Sequence, residues 1–117
     1  MSRKEIMQKI TFVVFGENSW RIWLEQKSDG RWCLYFDAHG LNVQQAKKML
    51  KNVIAIAPCG IELAVIHGFH NGTAIKHMIH SEGRKELGYR LMRVSSPWNN
   101  PGISSLQIAP RLGSVAC

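Results

Sequence analysis

The plainest periodicity in the chain lies at 42–57. Val43, Ala46, Leu50, Val53 and Ala57 recur every three or four residues, with Met49 and Ile54 beside them, the spacing of one apolar helix face. Lys47, Lys48 and Lys51 fall on the other side. Asn42 is a favourable N-cap, Gln45 three residues on completes a capping box, and Pro58-Cys59-Gly60 stops the helix. The period then changes. Ile61 to His67 is short, rich in β-branched residues and nearly continuous in apolar character, which predicts a strand buried on both faces. A loop at 68–72 follows. Thr73 to about Glu82 predicts a second helix, with Ala74, Ile75, Met78 and Ile79 as its apolar set. Tyr89 to Ser95 and Ile103 to Ala109 predict two strands joined by a loop rich in Pro, Asn and Gly, and Arg31 to Asp37 predicts the strand before the first helix.

From residue 31 the order is strand, helix, strand, helix, strand, strand. It predicts an α/β two-layer sandwich, β-α-β-α-β-β, with a small mixed four-stranded sheet. Residues 1–30 form a Trp-rich N-terminal extension. There Trp20, Ile22 and Leu24 alternate and Ser28-Asp29-Gly30 is a turn, so 19–26 is expected to form a hairpin with 31–37. Ile10 to Phe15 fits a third strand, while Ile6, Ile10, Val13 and Val14 equally fit a helical period. Residues 31–110 are the expected domain, and 111–117 a tail.

Composition narrows the class. The 117 residues suit one domain, and 45% apolar with 20% charged residues suits a globular chain. No apolar run approaches the ~18–20 residues of a membrane span, and no apolar leader follows the charged N-terminus. A cytoplasmic protein without a membrane partner is expected. Cys33, Cys59 and Cys117 are scattered and odd in number, so no disulfide framework is implied. Cys59 has no basic neighbour in sequence and is not expected to be a catalytic thiol.

Fifteen Lys and Arg against eight Asp and Glu give a net charge of +7. A basic surface draws anionic partners, whether nucleic acid, anionic membrane or acidic protein. Six basic and five acidic groups leave residues 1–38 at +1, so +6 of the +7 lies in residues 39–117. All five histidines fall at 39–80, behind Trp20, Trp23 and Trp32.

Asp37 and His39 stand two apart where a strand turns into a helix, the edge where open α/β sheets place ligands. His67 ends the strand expected beside it. Two imidazoles and a carboxylate at one sheet edge suit general acid–base work on a phosphodiester. The bland alternative is a turn capped by Asp37, with His39 and His67 bonded to backbone. His67-x2-His70 and His77-x2-His80 have zinc-like spacing. His70 lies at the opposite end of the second helix from His77, roughly 10 Å or more at ~1.5 Å rise per residue. A structural zinc is therefore not expected, and these helix histidines are read as solvated.

The motifs have a family likeness. Phe36-Asp37-Ala38-His39-Gly40, an amphipathic helix, an apolar strand ending in His67-Gly68, the loop His67-Gly68-Phe69-His70-Asn71-Gly72 and the segment Asn100 to Leu106 resemble, in order, the motifs of the Smr (small MutS-related) domain. The likeness covers about residues 31–110. It implies an α/β fold and nucleic-acid binding, with nicking or endonuclease activity on DNA or RNA. It implies Asp37, His39 and His67 as catalytic residues; Asp37 is read either as orienting His39 or as holding a divalent cation, Mg²⁺ or Mn²⁺, so metal-dependent and metal-independent cleavage both stay open. Gly68, His70 and Gly72 would hold phosphate in the loop. Lys47, Lys51, Lys76, Arg84 and Arg93, with Lys48, Lys85 and Arg90 beside them, are read from their clustering either as a basic surface for a phosphate backbone or as solvated helix faces.

The loop departs from the family pattern at Phe69, where a basic residue is usual, and at His70, where a glycine is usual. Those departures point to the alternative of a non-catalytic nucleic-acid-binding module. A third reading is a protein-interaction or assembly module using the Trp-rich N-terminus. Trp20, Trp23 and Trp32 are expected in the core or at a dimer contact rather than as a base-stacking platform. Trp98 is read either as a stacking residue or as a cover on the core.

Overall fold

A computed structural model describes residues 20–57, 60–68, 73–87, 91–96 and 102–109, together with Glu5 and Gln8. The elements are β1 (Ile22–Gln26), β2 (Trp32–Asp37), α1 (Val43–Ile56), β3 (Glu62–Ile66), α2 (Thr73–Leu87), β4 (Leu91–Ser95) and β5 (Ile103–Ile108). The strands form one mixed sheet in the order β1-β2-β3-β5-β4. Only β2 and β3 run parallel; the other three pairings are antiparallel. Among the described residues the sheet thus has five strands, not the expected four. The alternation at Ile22 and Leu24 places β1 beside β2 as an outer strand, and Lys27 to Arg31 closes the hairpin with two backbone bonds of 2.7 and 2.9 Å. The strand or helix expected at 10–15, the loop around Trp98, Cys59 and the tail lie outside the described residues.

Register divides the sheet into two faces. Ile22, Leu24, Leu34, Phe36, Leu63, Val65, Leu106 and Ile108 occupy one parity of the paired positions. They join Ala46, Leu50, Val53 and Ile54 of α1 and Ile75, Met78, Ile79 and Leu87 of α2 in one buried cluster. No strand residue of the opposite parity belongs to that cluster, so both helices cover the same face. The other parity carries Trp23 stacked on Tyr35, with centroids 5.4 Å apart, and Glu62 with Ser105 and Lys27.

α1 begins as the sequence dictates. Asn42 Oδ1 accepts from the Gln45 backbone at 2.8 Å, and Gln45 Oε1 accepts from the Asn42 backbone at 3.0 Å. Such a capping box satisfies two orphan amides. α2 runs past the expected end near Glu82 and through Gly83 to Leu87. A Cβ at Gly83 would stand 3.0 Å from Leu91 Cδ2. The glycine therefore marks a close approach of α2 to β4, not a helix stop.

Candidate functional site

β2 and β3 leave the sheet side by side. Asp37 pairs with Ile66, and Ala38 N donates to Ile66 O at 2.8 Å, which extends the ladder by one step. Leu41 N then donates to Ala38 O at 3.1 Å and turns the chain into α1. In that turn Asp37 Oδ1 accepts from the His39 backbone at 3.1 Å and from His39 Nδ1 at 2.5 Å. An ionised carboxylate only accepts. The ring proton therefore sits on Nδ1, and the Nε2 lone pair is left to act. The His39 side chain is 63% exposed and that of Asp37 17%.

Two residues before β1 complete this corner. Arg21 Nη1 donates to Asp37 O at 3.0 Å and to His39 O at 2.8 Å. Its guanidinium carbon stands 4.5 Å from the Trp20 ring centroid. Trp20 meets the His39 ring edge to face, 6.1 Å between centroids at 64°. Trp20 is 55% exposed and Trp32 36%. Neither is the core residue that its hydrophobicity suggests, and Trp23 stacks on Tyr35 on the sheet face away from the helices.

His67 has a different setting. It lies one residue past Ile66 where His39 lies two past Asp37, so its parity puts it on the helix-covered face. It is buried, 1% exposed, and its backbone N donates to Gly102 O at 2.9 Å. Its Nδ1 lies 3.0 Å from Gly68 O, a carbonyl that only accepts, so Nδ1 carries the proton. Nε2 then accepts from the fully buried Ser104 hydroxyl at 2.8 Å. Ser104 Oγ in turn accepts from His80 Nε2 at 2.8 Å, with Ser96 Oγ 3.2 Å from the same nitrogen. Burial, and then the charge of Lys76, hold His67 below the usual imidazole range; burial, Lys76 and His67 do the same to His80.

Asp37 and His39 therefore form one hydrogen-bonded pair, and His67 belongs to a second network on the opposite face. His77 bonds Ser81, not the partners of His80. Gly68 carries a left-handed φ of +81° at the end of β3. His70, Gly72 and the Arg84 side chain lie outside the described residues. Lys51 and Lys85 are exposed on the helical layer, and Lys47 and Lys76 are half-buried there. Arg93 pairs with Gln107 and so projects from the opposite sheet face, the parity of Asp37. Burial, then Glu62, push the Cys33 thiol up to about 11, so it stays protonated and unreactive.

Mg²⁺ is commonly held by one or two carboxylates plus substrate phosphates. At this corner Asp37 Oδ1 takes two N–H groups of His39. Among the described residues no three His, Cys, Asp or Glu side chains converge on a metal position.

Ser104, Ser96 and Arg21 take part here although nothing in the sequence reading singled them out. Ser104 had a signal: it alternates with Leu106 and Ile108 on a buried face, where a hydroxyl needs a polar partner. No helix among the described residues is long and apolar enough to cross a membrane. Comparison of the chain with protein-family models, with curated proteins and with solved structures found no match.

Proposed function

We propose that this chain binds nucleic acid and cleaves its phosphodiester bonds, with His39 transferring the proton and Asp37 orienting it. The observation that carries this reading is the exposed His39 ring held through Nδ1 by Asp37. A carboxylate on one imidazole nitrogen fixes the tautomer and stabilises the imidazolium that forms when the other nitrogen takes a proton. Nε2 accepts the proton of the attacking hydroxyl, and the protonated ring returns it to the leaving oxygen. The +7 charge and the Smr-like order of motifs support nucleic acid as the partner.

A specific observation favours the second reading, binding without cleavage. His67, the second imidazole expected in the reaction, is committed to Ser104 and Gly68 on the opposite face. Phe69 and His70 also remove the loop's usual basic residue and glycine.

Labelled single-stranded RNA and supercoiled plasmid, each with and without Mg²⁺ or Mn²⁺, separate the two. Cleavage by the wild type that falls about 10²–10⁴-fold in Asp37→Ala and His39→Ala upholds the reaction. Equal cleavage by those variants overturns it. Salt-dependent binding with no cleavage selects the second reading.

A further inference from the structure

We infer that Trp20 stacks an unpaired nucleobase and so confines the substrate to single-stranded nucleic acid. This rests on the proposed function for the identity of the partner, and it names the substrate class and the residue that selects it.

Trp20 is 55% exposed and so open to a partner. It is also held in place. The Arg21 guanidinium lies against its ring, and the same guanidinium is tied to the carbonyls of Asp37 and His39. The indole is therefore fixed to the corner that presents the His39 Nε2 atom. Fixing an aromatic ring before binding removes most of the ordering cost of stacking on it. Cation and ring together suit an anionic chain that carries flat bases: the ring takes the base, and a basic surface takes the backbone.

The spacing agrees. Trp20 and His39 have ring centroids 6.1 Å apart, so a base stacked on the indole lies beside the imidazole. The phosphate of that nucleotide is thereby brought near His39. A base inside a duplex has both faces covered by its neighbours and must be unstacked before it meets the indole. Single strands pay no such cost.

Binding is measured by fluorescence anisotropy with labelled oligo(dT), oligo(U) and a blunt duplex. Trp20→Ala and Trp20→Leu are expected to weaken binding to the single strands about tenfold. Trp20→Phe keeps an aromatic face and most of the affinity, and the affinity for duplex is unchanged throughout. Unchanged melting temperatures show that the variants fold. Trp20→Leu binding as tightly as wild type overturns stacking, since leucine keeps apolar bulk without the ring. Equal losses on single strand and duplex overturn the selection. If the single strands bind tightly whatever stands at position 20, this inference fails and the proposed function survives. If the wild type binds none of the three, both fail.

Discussion

His39-Gly40 follows β2 and His67-Gly68 follows β3, and these two strands are parallel neighbours. Both glycines have φ +81°. The local sequences are nearly the same, yet one imidazole stands in solvent and the other is buried. The difference is a single residue of register. Asp37 pairs with Ile66, so Ala38 stands level with His67 and His39 with Gly68. Side chains on a strand alternate with period two, and an offset of one reverses the face. The histidine that faces solvent meets a carboxylate and keeps Nε2 available. The one that faces the helices meets a serine hydroxyl and spends both nitrogens on the fold. The same residue type, after the same kind of strand, is an exposed ring held by a carboxylate in one place and a buried joint in the other.

The largest expected contrast between the two is in stability. His67→Ala removes a buried ring and leaves the Ser104 hydroxyl without its acceptor, a loss of about 3 kcal/mol. His39→Ala removes an exposed ring and is expected to cost about 0.5 kcal/mol or less. Urea denaturation of both variants measures the contrast. Equal losses would show that the exposed pair is also a structural joint, and would remove the basis for treating the two histidines differently.

A second measurement sharpens the buried half of the comparison. His67 and His80 face each other across Ser104, with Ser96 and the charge of Lys76 nearby. Both are held below the ordinary value of 6.5, first by burial. In the unfolded chain they take up protons as pH falls through about 6.5. The folded chain binds fewer protons in that range, so unfolding is favoured as pH drops. Their contribution to stability is complete above 6.5 and is lost between 6.5 and the lowered folded values. Melting temperature is expected to fall between about pH 7.5 and about pH 5.5. His67→Gln and His80→Gln each flatten that fall by removing one titrating group. An unchanged slope in both variants would show that neither ring is the source of the acid sensitivity.

Local structure was legible and cross-strand placement was not. Asn42 and Gln45 announce α1 because a capping box is a short-range bond between residues three apart. Ile22 and Leu24 announce β1 in the same way, through alternation. The partners of His67 and His80 lie 37 and 24 residues away in sequence. Asp37, His39 and His67 look like one cluster because all three lie at the ends of adjacent strands. Only the β2–β3 register shows which rings share a face, and register is fixed by packing across the sheet. The exposure of Trp20 has a related cause. Hydrophobicity predicts burial on average, but a residue just outside a strand end follows the path of the chain.

The smallest expected contrast concerns the glycines, where the two corners should behave alike. An L-residue in the left-handed region costs about 1 kcal/mol, and a Cβ at Gly40 or Gly68 meets nothing within 4 Å. The cost at each site is therefore backbone strain alone, and Gly40→Ala and Gly68→Ala are expected to destabilise by about 1 kcal/mol each. The equality is a demanding condition. Gly68 N donates to Gly102 O, and Gly68 O accepts from His67 Nδ1, whereas the Asp37–His39 pair uses no backbone atom of Gly40. If the strained turn relaxed by shifting residue 68, it would pull on the ring bonded to Ser104. Gly68→Ala would then lose stability well beyond Gly40→Ala and would reproduce part of the His67→Ala loss. Equal values in urea denaturation would place the strain in the turn alone, and would leave the one-residue register offset as the whole difference between the two histidines.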